Sequence, residues 1–73
     1  MSQLPLISSR ECIAALEKVG FYVSRQRGSH IILRRDDPPA RTVVPERREL
    51  RKGTLRSIIR DVGLTVDEFV ALL

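Results

Sequence analysis

The stretch Tyr22-Val23-Ser24-Arg25-Gln26-Arg27-Gly28-Ser29-His30-Ile31-Ile32-Leu33-Arg34-Arg35 decides how this chain folds. Gly28 supplies the permissive backbone that a two-residue hairpin turn needs and Ser29 is a common turn residue, so residues 22–27 are predicted to pair antiparallel with 30–35. His30, the only histidine among 73 residues, then stands at the mouth of a hairpin with arginines on both strands. A neutral imidazole takes and gives protons near physiological pH, and Arg25, Arg27 and Arg34 are spaced to draw a phosphodiester towards it. The run Ile31-Ile32-Leu33 spoils the alternation that would say which side of the sheet the imidazole takes.

Outward from the hairpin, the chain reads as helices around a small sheet. On the N-terminal side Ser8-Ser9-Arg10-Glu11 is a capping box with Ile7 and Cys12 as its hydrophobic staple. Cys12, Ile13, Leu16 and Val19 follow at helical spacing, and Gly20 ends a helix over about 9–19. On the other side Asp36-Asp37-Pro38-Pro39 is expected to be a loop, because two prolines cannot continue a ladder. Arg41-Thr42-Val43-Val44 reads as a third strand stopped by Pro45, and residues 46–53 as a charged irregular segment. Leu55, Ile58, Ile59 and Val62 mark a second helix from near Thr54 to Gly63. Thr65-Val66-Asp67-Glu68 is another capping box, with Leu64 and Phe69 as its staple, opening a short third helix. These apolar stripes can all be buried only if the helices share one face of a three-stranded antiparallel sheet, which leaves the other face free. The fold class is therefore α+β, and a chain of this length is expected to form one domain, burying about 60% of its unfolded surface.

Charge is distributed unevenly. Residues 1–24 balance to zero, residues 25–60 hold eleven bases against four acids, and residues 61–73 carry three acids and no base. A basic patch of this kind either attracts polyanions through phosphate neutralisation or serves as a solvated face, and composition leaves both open. The single Cys12 excludes an internal disulfide and reads as a small core residue. No apolar run approaches a membrane span and no signal segment is evident, so a cytoplasmic location is expected. With three aromatics, Phe21, Tyr22 and Phe69, a wide base-stacking platform is not expected. A metal site needs three or four ligands, and one histidine with one distant cysteine does not supply them, so no metal is assigned. For His30 the residues alone leave three readings: a general acid or base in RNA cleavage, a non-catalytic nucleic-acid contact, or a polar residue at a turn.

Gly28-Ser29-His30 ahead of an apolar strand, then Val43-Val44-Pro45, then the run from Glu49 through Lys52-Gly53-Thr54-Leu55 to Gly63-Leu64, resembles the HicA family of toxins from bacterial and archaeal toxin–antitoxin pairs. The resemblance extends from about Ile7 to the end of the chain. It implies a double-stranded-RNA-binding-domain-like α-β-β-β-α fold, here with a short extra C-terminal helix. It also implies a type II toxin that cleaves mRNA as a metal-independent endoribonuclease without a small-molecule cofactor, and a HicB-type antitoxin that binds it and shields its active site. His30 stands at the position of the histidine on which cleavage depends in such toxins. RNA carries its own nucleophile, the 2′-hydroxyl, so cleavage needs a base, an acid for the leaving oxygen and cations for the phosphorane charge. His30 is the candidate for one of the proton transfers, Arg25, Arg27, Arg34, Arg47 and Lys52 for binding RNA phosphate, and Ser29 for a hydrogen bond. Many relatives carry a second histidine where this chain has Ile31, and another where it has Arg47. An acid/base pair of histidines is therefore impossible within this chain, and Arg47 can replace only a charge. The rivals are a module that binds double-stranded RNA without cutting it, a degenerate toxin that retains only antitoxin binding, and a face used mainly for protein docking.

Overall fold

The computed structural model describes residues 3–73. Along them run helix α1 (Ser9–Glu17), strands β1 (Tyr22–Arg27), β2 (His30–Asp36) and β3 (Pro39–Pro45), then helices α2 (Lys52–Asp61) and α3 (Val66–Val70). The strands form an antiparallel sheet in the order β1-β2-β3, with α1 and α2 against one face. This is the α+β architecture that the apolar stripes require.

Both capping boxes form. The Ser8 hydroxyl accepts from the Glu11 N–H at 3.1 Å while the Glu11 carboxylate accepts from the Ser8 N–H at 3.0 Å. At α3 the Thr65 hydroxyl and the Glu68 carboxylate make the same exchange at 3.1 and 2.8 Å. Helix α1 stops two residues earlier than its apolar spacing indicates, and a turn over 18–20 closes it at Gly20, whose φ is +95°. A side chain at Gly20 would also meet the aliphatic stem of Arg35, which reaches back to place its guanidinium 4.7 Å from the Phe21 ring centroid. The positive φ favours glycine at this position, and any side chain there would also press on the Arg35 stem.

Two boundaries differ from expectation. Residues 36–39 are not a loop: β2 continues through Asp36, β3 begins at Pro39, and the connection shrinks to Asp37-Pro38, joined by a cis peptide. Proline is tolerated there because β3 is an edge strand and Pro39 and Pro45 occupy its two ends, where a missing N–H breaks no inner ladder. Helix α2 starts at Lys52, ahead of Thr54, and its N-cap Arg51 makes no side-chain capping bond.

The core lies between the helices and β2–β3. Leu16 of α1, Leu33 of β2, Val44 of β3, Leu55 and Ile58 of α2 and Phe69 of α3 are fully enclosed there, as is Cys12. Thr42 is a buried polar residue of this layer, and its hydroxyl donates to the Asp61 carboxylate at 3.1 Å. The segment between β3 and α2 is irregular but anchored. The Leu50 N–H donates to the Ile7 carbonyl at 2.8 Å and the Ser9 N–H to the Arg47 carbonyl at 3.0 Å, with the Leu50 side chain buried.

Candidate functional site

Alternation along the strands sorts their side chains into two sets, and contacts identify which set faces the helices. Ile31 and Leu33 join the core, Arg35 lies on Phe21, and Thr42 bonds Asp61 of α2. The opposite, open face therefore carries His30, Ile32, Arg34 and Asp36 from β2 and Arg41, Val43 and Pro45 from β3. Tyr22 belongs to it as well, because its hydroxyl donates to the Asp36 carboxylate at 2.9 Å. That bond pushes the Tyr22 phenol pKa above its ordinary value.

A bulge brings β1 into agreement with this face. Tyr22 pairs with Arg34 and Val23 with Leu33, but the register then skips Ser24 so that Arg25 pairs with Ile32 and Arg27 with His30. Without the extra residue, strict alternation would have sent Arg25 and Arg27 to the side opposite Tyr22. With it, three rows cross all three strands on the open face, Arg27 with His30 and Pro45, Arg25 with Ile32 and Val43, and Tyr22 with Arg34 and Arg41, and Asp36 pairs with Pro39 beyond them. Ile32 is only 7% exposed although it lies outside the helix-side core, so neighbours on the open face cover it, and Arg25 and Val43 are its cross-strand partners there.

The turn that presents His30 is Gly28-Ser29, with φ of +56° at Gly28 and no positive φ at Ser29. Glycine at the first central position is what a type II′ hairpin turn demands. The Glu46 N–H donates to the Ser29 carbonyl at 2.6 Å, which ties the turn to the end of β3. His30 is exposed, and among the described residues its imidazole has no hydrogen-bond partner. No carboxylate pairs with Arg25, Arg27, Arg34 or Arg41 among the described residues either. Four guanidinium groups thus share a face with one carboxylate, Asp36, which accepts the hydrogen bond of the Tyr22 hydroxyl.

The candidates read from the sequence divide accordingly. Arg25, Arg27 and Arg34 share the face of His30, and Ser29 stands in its turn. Arg47 and Lys52 do not join them. Arg47 is bonded through its backbone to Ser9 and lines a hollow with Ser9, Arg10, Ile13 and Ile31 on the helix side, while Lys52 opens α2 and lines another with Leu4, Arg56 and Thr65. The face adds two residues that the sequence does not single out, Arg41 and Tyr22. The signal for Arg41 is its even spacing from Pro45 along β3, usable only once Pro45 is known to pair with His30. Among the described residues, no three His, Cys, Asp or Glu side chains gather where they could hold a metal ion.

Residues 9–64 match the family model described as HicA toxin of bacterial toxin-antitoxin, a span from the start of α1 through α2 that includes the whole open face. The chain belongs to the HicA toxin family. No curated protein matches it. As a HicA chain it is the toxin of a toxin–antitoxin pair, and an antitoxin is its partner. None of its described helices is long and apolar enough to cross a membrane.

Proposed function

We propose that this HicA toxin is an endoribonuclease that cleaves mRNA without a metal and so stops translation, with the open sheet face as its RNA-binding surface and His30 as its acid/base residue. The observation that carries the reading is the row of Arg27, His30 and Pro45: a solvent-open imidazole beside an unpaired guanidinium, on a face with three more arginines. A phosphodiester drawn to Arg27 and Arg25 lies within reach of the imidazole. His30 takes the proton of the 2′-hydroxyl or gives one to the leaving 5′-oxygen, and the guanidinium groups stabilise the charge that gathers on phosphorus-bound oxygen. The Ser29 hydroxyl is available for a further hydrogen bond. Arg47 and Lys52 act on RNA only where a strand extends past the edge of this face. A HicB-type antitoxin would inhibit by covering the face.

Acid–base catalysis by one side chain typically contributes about 10²–10⁴-fold. His30→Ala is therefore expected to slow degradation of a labelled messenger RNA in chelator by at least about a hundredfold, with salt-sensitive RNA binding retained. Equal cleavage by both proteins would refute the role of His30. Binding without cleavage by the wild type would instead favour an RNA-binding module.

A further inference from the structure

The row of Tyr22, Arg34 and Arg41 has so far been given no role beyond membership of the arginine-rich face, and its composition is unfavourable for the sheet that bears it. Arg34 and Arg41 are directly opposed partners on β2 and β3, on one face, with no carboxylate paired to either among the described residues. Like charges directly opposite across two strands destabilise the pair. The third member, Tyr22, is 42% exposed, and its hydroxyl holds Asp36, the carboxylate closest in the register to the two guanidinium groups. An aromatic ring thus stands beside two cations that make no ion pair with a carboxylate among the described residues, while the neighbouring Asp36 accepts the hydrogen bond of the Tyr22 hydroxyl.

We infer that Tyr22, Arg34 and Arg41 form a second RNA subsite, which grips a phosphate of a single strand between the two guanidinium groups and stacks an unpaired base on the Tyr22 ring. The subsite rests on the reading of the open face as an RNA surface and adds to it a place for nucleotides that are not cut. Arg34 lies four positions along β2 from His30, a distance of about 13 Å at the usual strand rise. That span is a few nucleotides of extended RNA, so one strand can occupy both ends at once. Between them lie Ile32 and Val43, an apolar floor flanked by Arg25. Arginine is suited to the outer grip because its planar fork meets two phosphate oxygens, and a ring beside it accepts any base. The subsite makes the enzyme prefer single strands long enough to reach both rows.

The test compares Arg41→Gln with Arg60→Gln, an equal charge loss on the exposed side of α2, using labelled oligouridylates of increasing length in a His30→Ala background. For a single strand, the slope of log K against log salt falls by about 0.7 for every phosphate that the protein ceases to neutralise. Arg41→Gln is expected to lower the slope by about that amount and weaken long oligomers severalfold while leaving the shortest unaffected; Arg60→Gln should change neither. Tyr22→Phe should keep the affinity that Tyr22→Ala loses, since the ring does the stacking. Thermal unfolding is a second readout: Arg41→Gln should raise Tm because it relieves the opposed charges. Equal slopes and affinities for the two glutamine variants would overturn the subsite while leaving cleavage by His30 standing. Absence of any RNA binding by the parent protein would instead overturn the RNA surface itself.

Discussion

Cys12 shows how strongly one position can be governed by burial. It lies wholly inside the core as the N4 partner of the α1 staple, and desolvation pushes its thiol pKa up to about 12. The thiolate is the reactive form, so the folded protein should resist alkylation at neutral pH and react only as fast as it opens, a rate that a thiol-reactive dye measures directly. The same shift predicts a pH dependence. Because the pKa is higher folded than unfolded, the contribution of the neutral thiol is complete below the unfolded value near 9.0 and is lost progressively between there and about pH 12. Wild type should therefore lose stability relative to Cys12→Ala as pH rises through this window, and parallel curves for the two proteins would contradict it. His30 is the opposite case. Nothing in the fold encloses or bonds its side chain among the described residues, so what holds it in place is the turn before it and the Arg27 and Pro45 that flank it.

At the scale of elements, α2 is the one that local chemistry supports least. Its N-cap Arg51 has the extended backbone of a cap, at φ −68° and ψ 146°, but no capping bond, and its first residue is Lys52, a cation at the positive end of the helix dipole. The helix is instead held by its buried face, Leu55, Ile58 and Ile59. Arg51→Ser should supply the missing acceptor and raise stability by about 1 kcal/mol, seen as a higher urea midpoint with an unchanged slope. An unchanged midpoint would mean that the first turn already satisfies its amides in solution. The same elements explain what the sequence reveals and what it conceals. Ser8-Ser9-Arg10-Glu11 and Thr65-Val66-Asp67-Glu68 announce two helices because a capping box is entirely local, and Gly28-Ser29 announces the hairpin for the same reason. The Asp36 to Pro39 connection reads as a loop and is not one, because the tolerance of β3 for proline depends on its being an edge, a property of the assembled sheet. The face of His30 is hidden by Ile31-Ile32-Leu33, since Ile32 is covered from the open side and so mimics a core residue. The bulge at Ser24 leaves no signal in the sequence, and with it goes the alignment of Arg25 and Arg27 with Tyr22.

Across the whole molecule, charge and layering divide the labour. One layer buries the apolar stripes of α1 and α2 against β2 and β3, while the other side of the sheet presents Arg25, Arg27, Arg34 and Arg41 to solvent. Asp61 ends α2 and Asp67 and Glu68 lie in α3, but α2 also carries Lys52, Arg56 and Arg60, so what distinguishes the open face is its four arginines against one carboxylate rather than an acidic opposite layer. On the reading proposed above, such a surface would draw RNA and an acidic protein by the same field, and the two would compete for it. For a toxin this competition is itself a means of control, since a partner that neutralises the arginines removes the substrate's attraction without altering His30. The cognate antitoxin is accordingly expected to present carboxylates to the open face. Arginine-selective modification of the complex should spare Arg25, Arg27, Arg34 and Arg41 and still reach Arg10 and Arg60, which are exposed on the helices. Rising salt should restore modification of these arginines, while RNA cleavage should not recover in step, because the RNA contacts are screened as well. A complex that protects Arg10 and Arg60 while His30 still cuts RNA would place the partner on the helical layer and require that it restrain the toxin by some means other than occupying its RNA surface.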